Sequence, residues 1–214
     1  MATPVETTLA PNPVYAQLAS DEQIARTAAA LESHGMHTIV VNTAAEAKAR
    51  VIELLSPGEE VFTSSSATLN QIGIAKHVDE SGQYDSVRVR LSRFDRSTHG
   101  RHMNKMGAVP EVIIGSVHAL TETGSALIAS GTGSQLAPYS AGAARVIWVV
   151  GSQKIVPTLE EGLRRVEEYS LRLEDERAMR VWGRHSLVGK LLLVNHETTP
   201  GRITIVIVKE NLGF

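Results

Sequence analysis

The chain has 214 residues, 43% of them apolar, and a formal charge of -2; that is enough chain for one domain with a real core and gives no basic field for nucleic acid. It contains no cysteine, which excludes disulfides, cysteine nucleophiles, thiolate metal sites and a Cys-ligated iron-sulfur cluster in this chain. Its longest apolar runs, such as Val146 to Val150 and Ile203 to Val208, fall far short of the roughly 20 residues that span a bilayer, so a cytoplasmic protein without a membrane partner is expected.

Residues 1–13 carry Thr and Pro without a basic start or an apolar stretch, and read as a flexible N-terminal arm and not as a signal peptide. Residues 14–214 are expected to form a single domain. Ser20 and Gln23 make a capping box, after which Ile24, Ala28 and Leu31 share one helical face up to Gly35. Met36 to Val41 is a short β-branched run. Thr43 with Glu46 opens a second helix through Leu55, stopped by Pro57-Gly58. Glu60 to Thr63 reads as a strand that breaks at Ser64-Ser65-Ser66 into a helical stretch with Leu69, Ile72 and Ile74. Val87 to Met106 is polar and basic, with a helix around Ser97 to Lys105.

Further along, Glu111 to Val117 is an apolar strand, with Ser125 to Ala129 able to pair nearby and Arg145 to Val150 following as another strand. Thr158 and Glu161 form a third capping box for a long helix. Its Leu159, Leu163, Val166, Tyr169 and Leu173 recur at helical spacing, and its Glu160/Arg164, Glu161/Arg165 and Glu168/Arg172 stand four apart in the favourable order. Lys190 to Asn195, a Pro200-Gly201 turn and Arg202 to Lys209 look like a terminal antiparallel hairpin, although Ile203 to Val208 is apolar on both faces and so suits a buried strand. Alternating buried strands and amphipathic helices predict a three-layer, Rossmann-like α/β domain, its mainly parallel sheet covered by helices on both faces.

In such sheets ligands bind beyond the carboxyl ends of the strands. Three turns qualify. Ser65, Ser66 and Thr68 offer hydroxyls and backbone donors suited to a phosphate or carboxylate, or else simply cap the following helix. Thr121, Thr123, Gly124, Gly133, Ser134 and Gln135 place small and hydroxyl-bearing residues where a backbone can approach a ligand, or else form tight hairpin turns. Gly131 and Gly133 begin a G-x-G pattern that Leu136 breaks, which argues against a dinucleotide fingerprint. Lys154 can neutralise an anion, and Glu122 can serve as a general base. His99 and His102 stand three apart and His118 lies near Glu122, but no third ligand follows at a recognised spacing, so no metal site is expected. No G-x-S-x-G elbow occurs.

Several of these segments, in this order, resemble the LUD (lactate utilisation) domain: Ser65-Ser66-Ala67-Thr68-Leu69 through Gly73, Ala119-Leu120-Thr121-Glu122-Thr123-Gly124, Val149-Val150-Gly151 with Lys154-Ile155-Val156, and Gly201-Arg202-Ile203 to Asn211-Leu212-Gly213-Phe214. The resemblance spans about Asn12 to Phe214. It implies a NagB/RpiA-like fold and a role in L-lactate or related organic-acid utilisation beside iron-sulfur oxidoreductase subunits. Related chains can carry cysteines after the long helix, whereas Glu174 to Val194 has none here, and they tend to have Asn and Arg where Ser134-Gln135 stands. The first expectation is therefore a protein that binds a small anionic ligand, with no cofactor of its own. The alternatives are an isomerase, hydrolase or acyl transferase acting on a sugar phosphate or CoA ester with Glu122 as base, and an oligomeric scaffold, for instance a homodimer, without a ligand.

Overall fold

The computed structural model describes residues 10–214. In chain order the elements are α1 (Asp21–Ser33), β1 (His37–Val41), α2 (Ala44–Glu53), β2 (Glu60–Thr63), α3 (Ala67–Gln71), α4 (Ile74–Glu80), β3 (Asp85–Ser86), α5 (Val87–Leu91), α6 (Arg96–Ala108), β4 (Val112–Gly115), β5 (Ala119–Thr121), β6 (Ala126–Ser130), β7 (Arg145–Gly151), β8 (Ile155–Val156), α7 (Leu159–Arg165), α8 (Leu171–Trp182), β9 (Lys190–Val194) and β10 (Ile203–Val208). The first nine residues of the expected arm lie outside the described residues. At its end the Asn12 backbone N–H donates to the Glu168 carbonyl at 2.9 Å.

Six strands form a wholly parallel sheet in the order β1-β10-β7-β4-β2-β3. Its central strands are near-continuous β-branched runs because both of their faces are buried. One face, including Ile114, Ile147, Val149 and Val206, packs with Ala47 and Val51 of α2, Leu69 of α3 and Ile74 and Val78 of α4. The other, including Ile113, Val146, Trp148 and Ile205, packs with Ile24 and Leu31 of α1 and with Leu120, Ala126 and Ile128 of a second sheet. That second sheet has the order β8-β5-β6-β9 and is mixed, β5 running parallel to β8 and antiparallel to β6. Its outer face, with Ala119, Leu127 and Val156, meets Val166 beyond α7. The whole is an α/β fold of parallel and mixed sheets with flanking helices, in line with a three-layer, Rossmann-like arrangement.

Two expectations change. The terminal hairpin does not form, because β9 and β10 join different sheets: β9 pairs antiparallel with β6, and β10 lies parallel between β1 and β7. The residues explain the split. Ile203 to Val208, apolar at nearly every position, is a central strand, while β9 exposes Leu191 and Leu193 and stays at an edge. The long helix is also not one regular α-helix: a π turn at Val166–Ser170 joins α7 to α8. The buried face is Gly162, Arg165, Val166 and Tyr169, whereas Leu159 and Leu163 are exposed. Of the three predicted Glu/Arg pairs only Glu160–Arg164 forms, at 2.7 Å, since Arg165 turns inward and Glu168 accepts from Asn12 Nδ2 at 2.8 Å.

Ser20 and Gln23 do form the full capping box. Thr43 and Thr158 each accept the N–H three residues on. The Glu46 carboxylate, however, takes the N–H of Asn42, and that of Glu161 takes the hydroxyl of Tyr15.

Candidate functional site

All six strands of the main sheet run the same way, so the carboxyl ends of β2, β4 and β7 open onto one edge. Beyond that edge lies a cavity of about 450 Å³, lined on the sheet side by Ser64, Ser65, Ser66, Thr68, Ser116, His118, Tyr139 and Lys154 and on the outer side by the π turn, α8 and the segment after it. The volume falls within the range typical of small-molecule sites.

Each strand end contributes differently. The turn after β2 stays open because Ser66 caps α3 through its own hydroxyl, accepting from the Leu69 N–H at 3.4 Å, and leaves Ser64 and Ser65 outside that turn's bonding. Ser64 accepts instead from the hydroxyl of Tyr139 at 3.1 Å, and burial pushes that phenol up to about 12. Gly115 ends β4 where no side chain fits, since a Cβ there would stand 1.6 Å from the Tyr139 hydroxyl. After β7 a single helical turn, Ser152–Lys154, carries the lysine under the cavity.

Lys154 is 2% exposed. Its Nζ donates to the hydroxyls of Thr68 and Ser116, each at 3.1 Å. Burial first, and then the charge of Arg165, hold its pKa well below the usual lysine range. Arg165 is itself fully buried. It donates to the carbonyl of His118 at 2.6 Å, the hydroxyl of Ser170 at 2.9 Å and the carbonyl of Gln153 at 3.3 Å, and burial lowers it to about 10. Every one of these acceptors is an uncharged oxygen. The π turn is what delivers Arg165 and Ser170 to the same place, five residues apart.

His118 forms part of the wall. Its Nδ1 accepts the Ala129 N–H at 3.1 Å, which assigns the ring proton to Nε2. Burial, then the charges of Lys154 and Arg165, push it down to about 3, so the ring is neutral. At the outer rim, Arg177 is held by Glu174 through contacts of 2.6 and 2.7 Å and lies over the Trp182 ring, with Arg184 5.7 Å from the same ring. Asp175 accepts from His185 Nδ1 at 2.9 Å and from the Ser186 N–H at 2.6 Å, fastening the segment after α8 across the opening. Among the lining side chains three bases, Lys154, Arg177 and Arg184, stand against one carboxylate, Glu174, which pairs with Arg177.

Of the residues picked out in the sequence, Ser65, Ser66, Thr68, Gln135 and Lys154 come together here. Gly133 and Ser134 sit next to Gln135 but off the wall, Gly133 donating to the Ser130 hydroxyl at 2.8 Å and Ser134 to the Gln135 side chain at 3.4 Å. The Thr121–Gly124 turn lies elsewhere, against α1. Thr121 and Thr123 bond each other at 2.9 Å, and the Gly124 carbonyl accepts from His34 Nδ1 at 2.8 Å. The Glu122 carboxylate pairs with Arg26 at 2.8 Å and accepts from Gln23 at 2.9 Å; the Gln23 hydrogen bond leads the effects that lower its pKa. His99 and His102 pack on Phe94. Among the described residues no group of three or more His, Asp or Glu is placed to hold a metal ion.

Sequence reasoning passed over Ser116, Tyr139, Arg165 and Ser170. For Ser116 a signal existed, a Gly115-Ser116 step closing an apolar strand. Arg165 offered none, because its spacing from Glu161 mimicked a surface pair.

Comparison with protein families finds that residues 24–208 match the LUD domain. The chain belongs to the LUD domain family. A solved structure, described as a DUF162 family protein from Deinococcus radiodurans, is similar in fold to this LUD domain at a TM-score of 0.56 and 15% identity, covering 90% of this chain and 99% of that one. No curated protein matches the sequence.

Proposed function

We propose that this LUD domain binds a small organic anion in the cavity at the carboxyl edge of the parallel sheet, with Lys154 at the base and Ser65, Ser66, Thr68, Ser116 and Gln135 around it. The observation that carries the reading is the pair of buried basic side chains, Lys154 and Arg165, whose hydrogen-bond acceptors are all neutral. Burying a protonated base without a counter-charge costs several kcal/mol, which favours the free amine of Lys154 in the empty cavity; an anion arriving there offsets that cost and favours its proton. The family's link to lactate utilisation makes lactate and pyruvate the first ligands to try. It also favours an accessory role beside an iron-sulfur oxidoreductase, because this chain has no cysteine with which to hold a cluster.

Titration calorimetry with lactate, pyruvate and inorganic phosphate tests the reading. One of them should bind the wild-type protein and bind Lys154→Met far more weakly. Equal binding to both proteins, or no heat from any of the three together with no thermal shift, would remove the cavity as an anion site.

A further inference from the structure

We infer that Lys154 is an imine-forming nucleophile and that the cavity takes a 2-oxo acid, whose carbonyl carbon reacts with the lysine nitrogen. The inference rests on the anion-site reading and adds a reaction to it.

Position comes first. Lys154 lines a space large enough for more than a three-carbon acid, and it is carried there, 2% exposed, by the short helical turn Ser152–Lys154 that follows β7. A lysine retained only for its charge is ordinarily met by a carboxylate. This one meets two hydroxyls, Thr68 Oγ1 and Ser116 Oγ, at 3.1 Å each. Hydroxyls can donate as well as accept, so they serve a free amine as readily as an ammonium. Only the free amine has the lone pair that attacks a carbonyl, and burial with a second cation alongside is a recognised way of supplying it near neutral pH. The directions of both effects on Lys154 favour the amine.

The surroundings suit the remaining steps. The nitrogen lone pair adds to the carbonyl carbon, forming the N–C bond, and the carbonyl oxygen takes up a proton. Loss of that oxygen as water, with one further proton, leaves a cationic imine, so that amine, 2-oxo acid and one proton give iminium and one water. Thr68 and Ser116 bracket the nitrogen and can pass protons between it and the departing oxygen. His118 holds its proton on Nε2, since Nδ1 is occupied by the Ala129 N–H, and so presents the same cavity with a donor. The carboxylate that distinguishes a 2-oxo acid from a simple ketone complements the rim that carries Arg177 and Arg184. Val117, Ala129, Val166 and Val188 leave an apolar wall for the rest of the acid.

Reductive trapping tests this on the whole chain. The protein is incubated with pyruvate and cyanoborohydride at neutral pH, then weighed intact and mapped by peptide mass spectrometry. One pyruvyl adduct per chain is expected, with Lys154 labelled at least tenfold faster than Lys76, which is 78% exposed. Lactate, which has a hydroxyl in place of the 2-oxo group, should slow the labelling, and Lys154→Arg should abolish it. If Lys154→Arg fails to fold, the ratio of Lys154 to Lys76 within the wild-type protein still decides. Labelling spread evenly over exposed lysines, or no adduct at all, overturns the inference. Should pyruvate bind by calorimetry without being trapped at Lys154, the imine fails and the anion site stands; should it neither bind nor be trapped, while lactate and phosphate also give no heat, both fall.

Discussion

The turn after β2 and the turn after β5 are built from the same materials, hydroxyl residues beside a strand end, yet they meet opposite fates. Ser64 to Thr68 leaves the parallel sheet at its carboxyl edge, where neighbouring β4 ends one residue further on, and it opens onto the cavity. Thr121 to Gly124 leaves the smaller sheet and is pressed against the end of α1, where a Cβ at Gly124 would lie 2.7 Å from the Ala30 carbonyl. The charged residues divide in the same way. Lys154 is buried with neutral acceptors, whereas Glu122 already has a cation and an amide. A hydroxyl-rich turn becomes a candidate site through the sheet that carries it, and a charge becomes available to a ligand only if the protein has not satisfied it.

The sharpest way to press the contrast is acid. His118, on the cavity side, has its folded pKa pushed down to about 3 from a reference of 6.5. Above pH 6.5 the ring is neutral folded or unfolded and its contribution is fully present. As pH falls from 6.5 towards 3 the unfolded chain takes up a proton that the folded chain does not, so stability is lost at about 1.4 kcal/mol per pH unit, to a total on the order of 5 kcal/mol. His118→Gln keeps an acceptor for Ala129 and removes the titration. Urea unfolding between pH 6.5 and 4 should show the wild type losing several kcal/mol more than the variant; parallel losses would mean that the ring is not shielded as described.

Lys154→Met comes next. Loss of the cation at the base of the cavity should weaken anion binding about a hundredfold, near 3 kcal/mol. It should do so without loss of stability, because an apolar chain of similar length is easier to bury than a charge facing neutral oxygens. The wild-type apo protein should also gain stability as pH rises towards the free-lysine value of 10.5, since below it the unfolded chain binds a proton that the folded chain disfavours. Calorimetry and thermal melts from pH 7 to 10 read both effects, and a pH slope surviving in Lys154→Met would assign it to another group.

How much of this was legible in the sequence follows the same line. Local signals, the capping box at Ser20, the turn at Ser64 and the strand before Lys154, pointed to the elements and to five of the wall residues. The buried arginine behind the cavity wall did not show, because the inward turn of Arg165 depends on a π turn that a 3.6-residue period cannot express. The hairpin reading failed for a related reason. Two runs beside a Pro-Gly turn look like neighbours, but the both-faced burial of Ile203 to Val208 requires the middle of the parallel sheet, and that requirement overrides the turn.

A smaller effect tests the floor of the cavity. Gly115→Ala would force its Cβ against the Tyr139 hydroxyl at 1.6 Å and the Ser64 hydroxyl at 2.6 Å. Breaking the Tyr139–Ser64 contact and overpacking the strand end should cost about 2 kcal/mol, seen as a lower melting temperature, with weaker anion binding alongside. A matching change at Gly124 should lower stability and leave affinity alone. If both glycines affected affinity equally, the division between the two turns would not hold.

The smallest expected effect falls on the residue that the sequence made most tempting. Glu122→Gln removes one charge of a pair whose partner, Arg26, is 58% exposed, so the loss of stability should stay within about 0–1 kcal/mol. Anion affinity at the cavity should be unchanged, because the carboxylate faces Gln23 and Arg26 and not the cavity wall. Calorimetry with whichever anion binds the wild type decides the matter. A tenfold loss of affinity would bring Glu122 back as a ligand-facing group and require the Thr121–Gly124 turn to move, whereas an unchanged value leaves the chemistry with the strand ends that carry Thr68, Ser116 and Lys154.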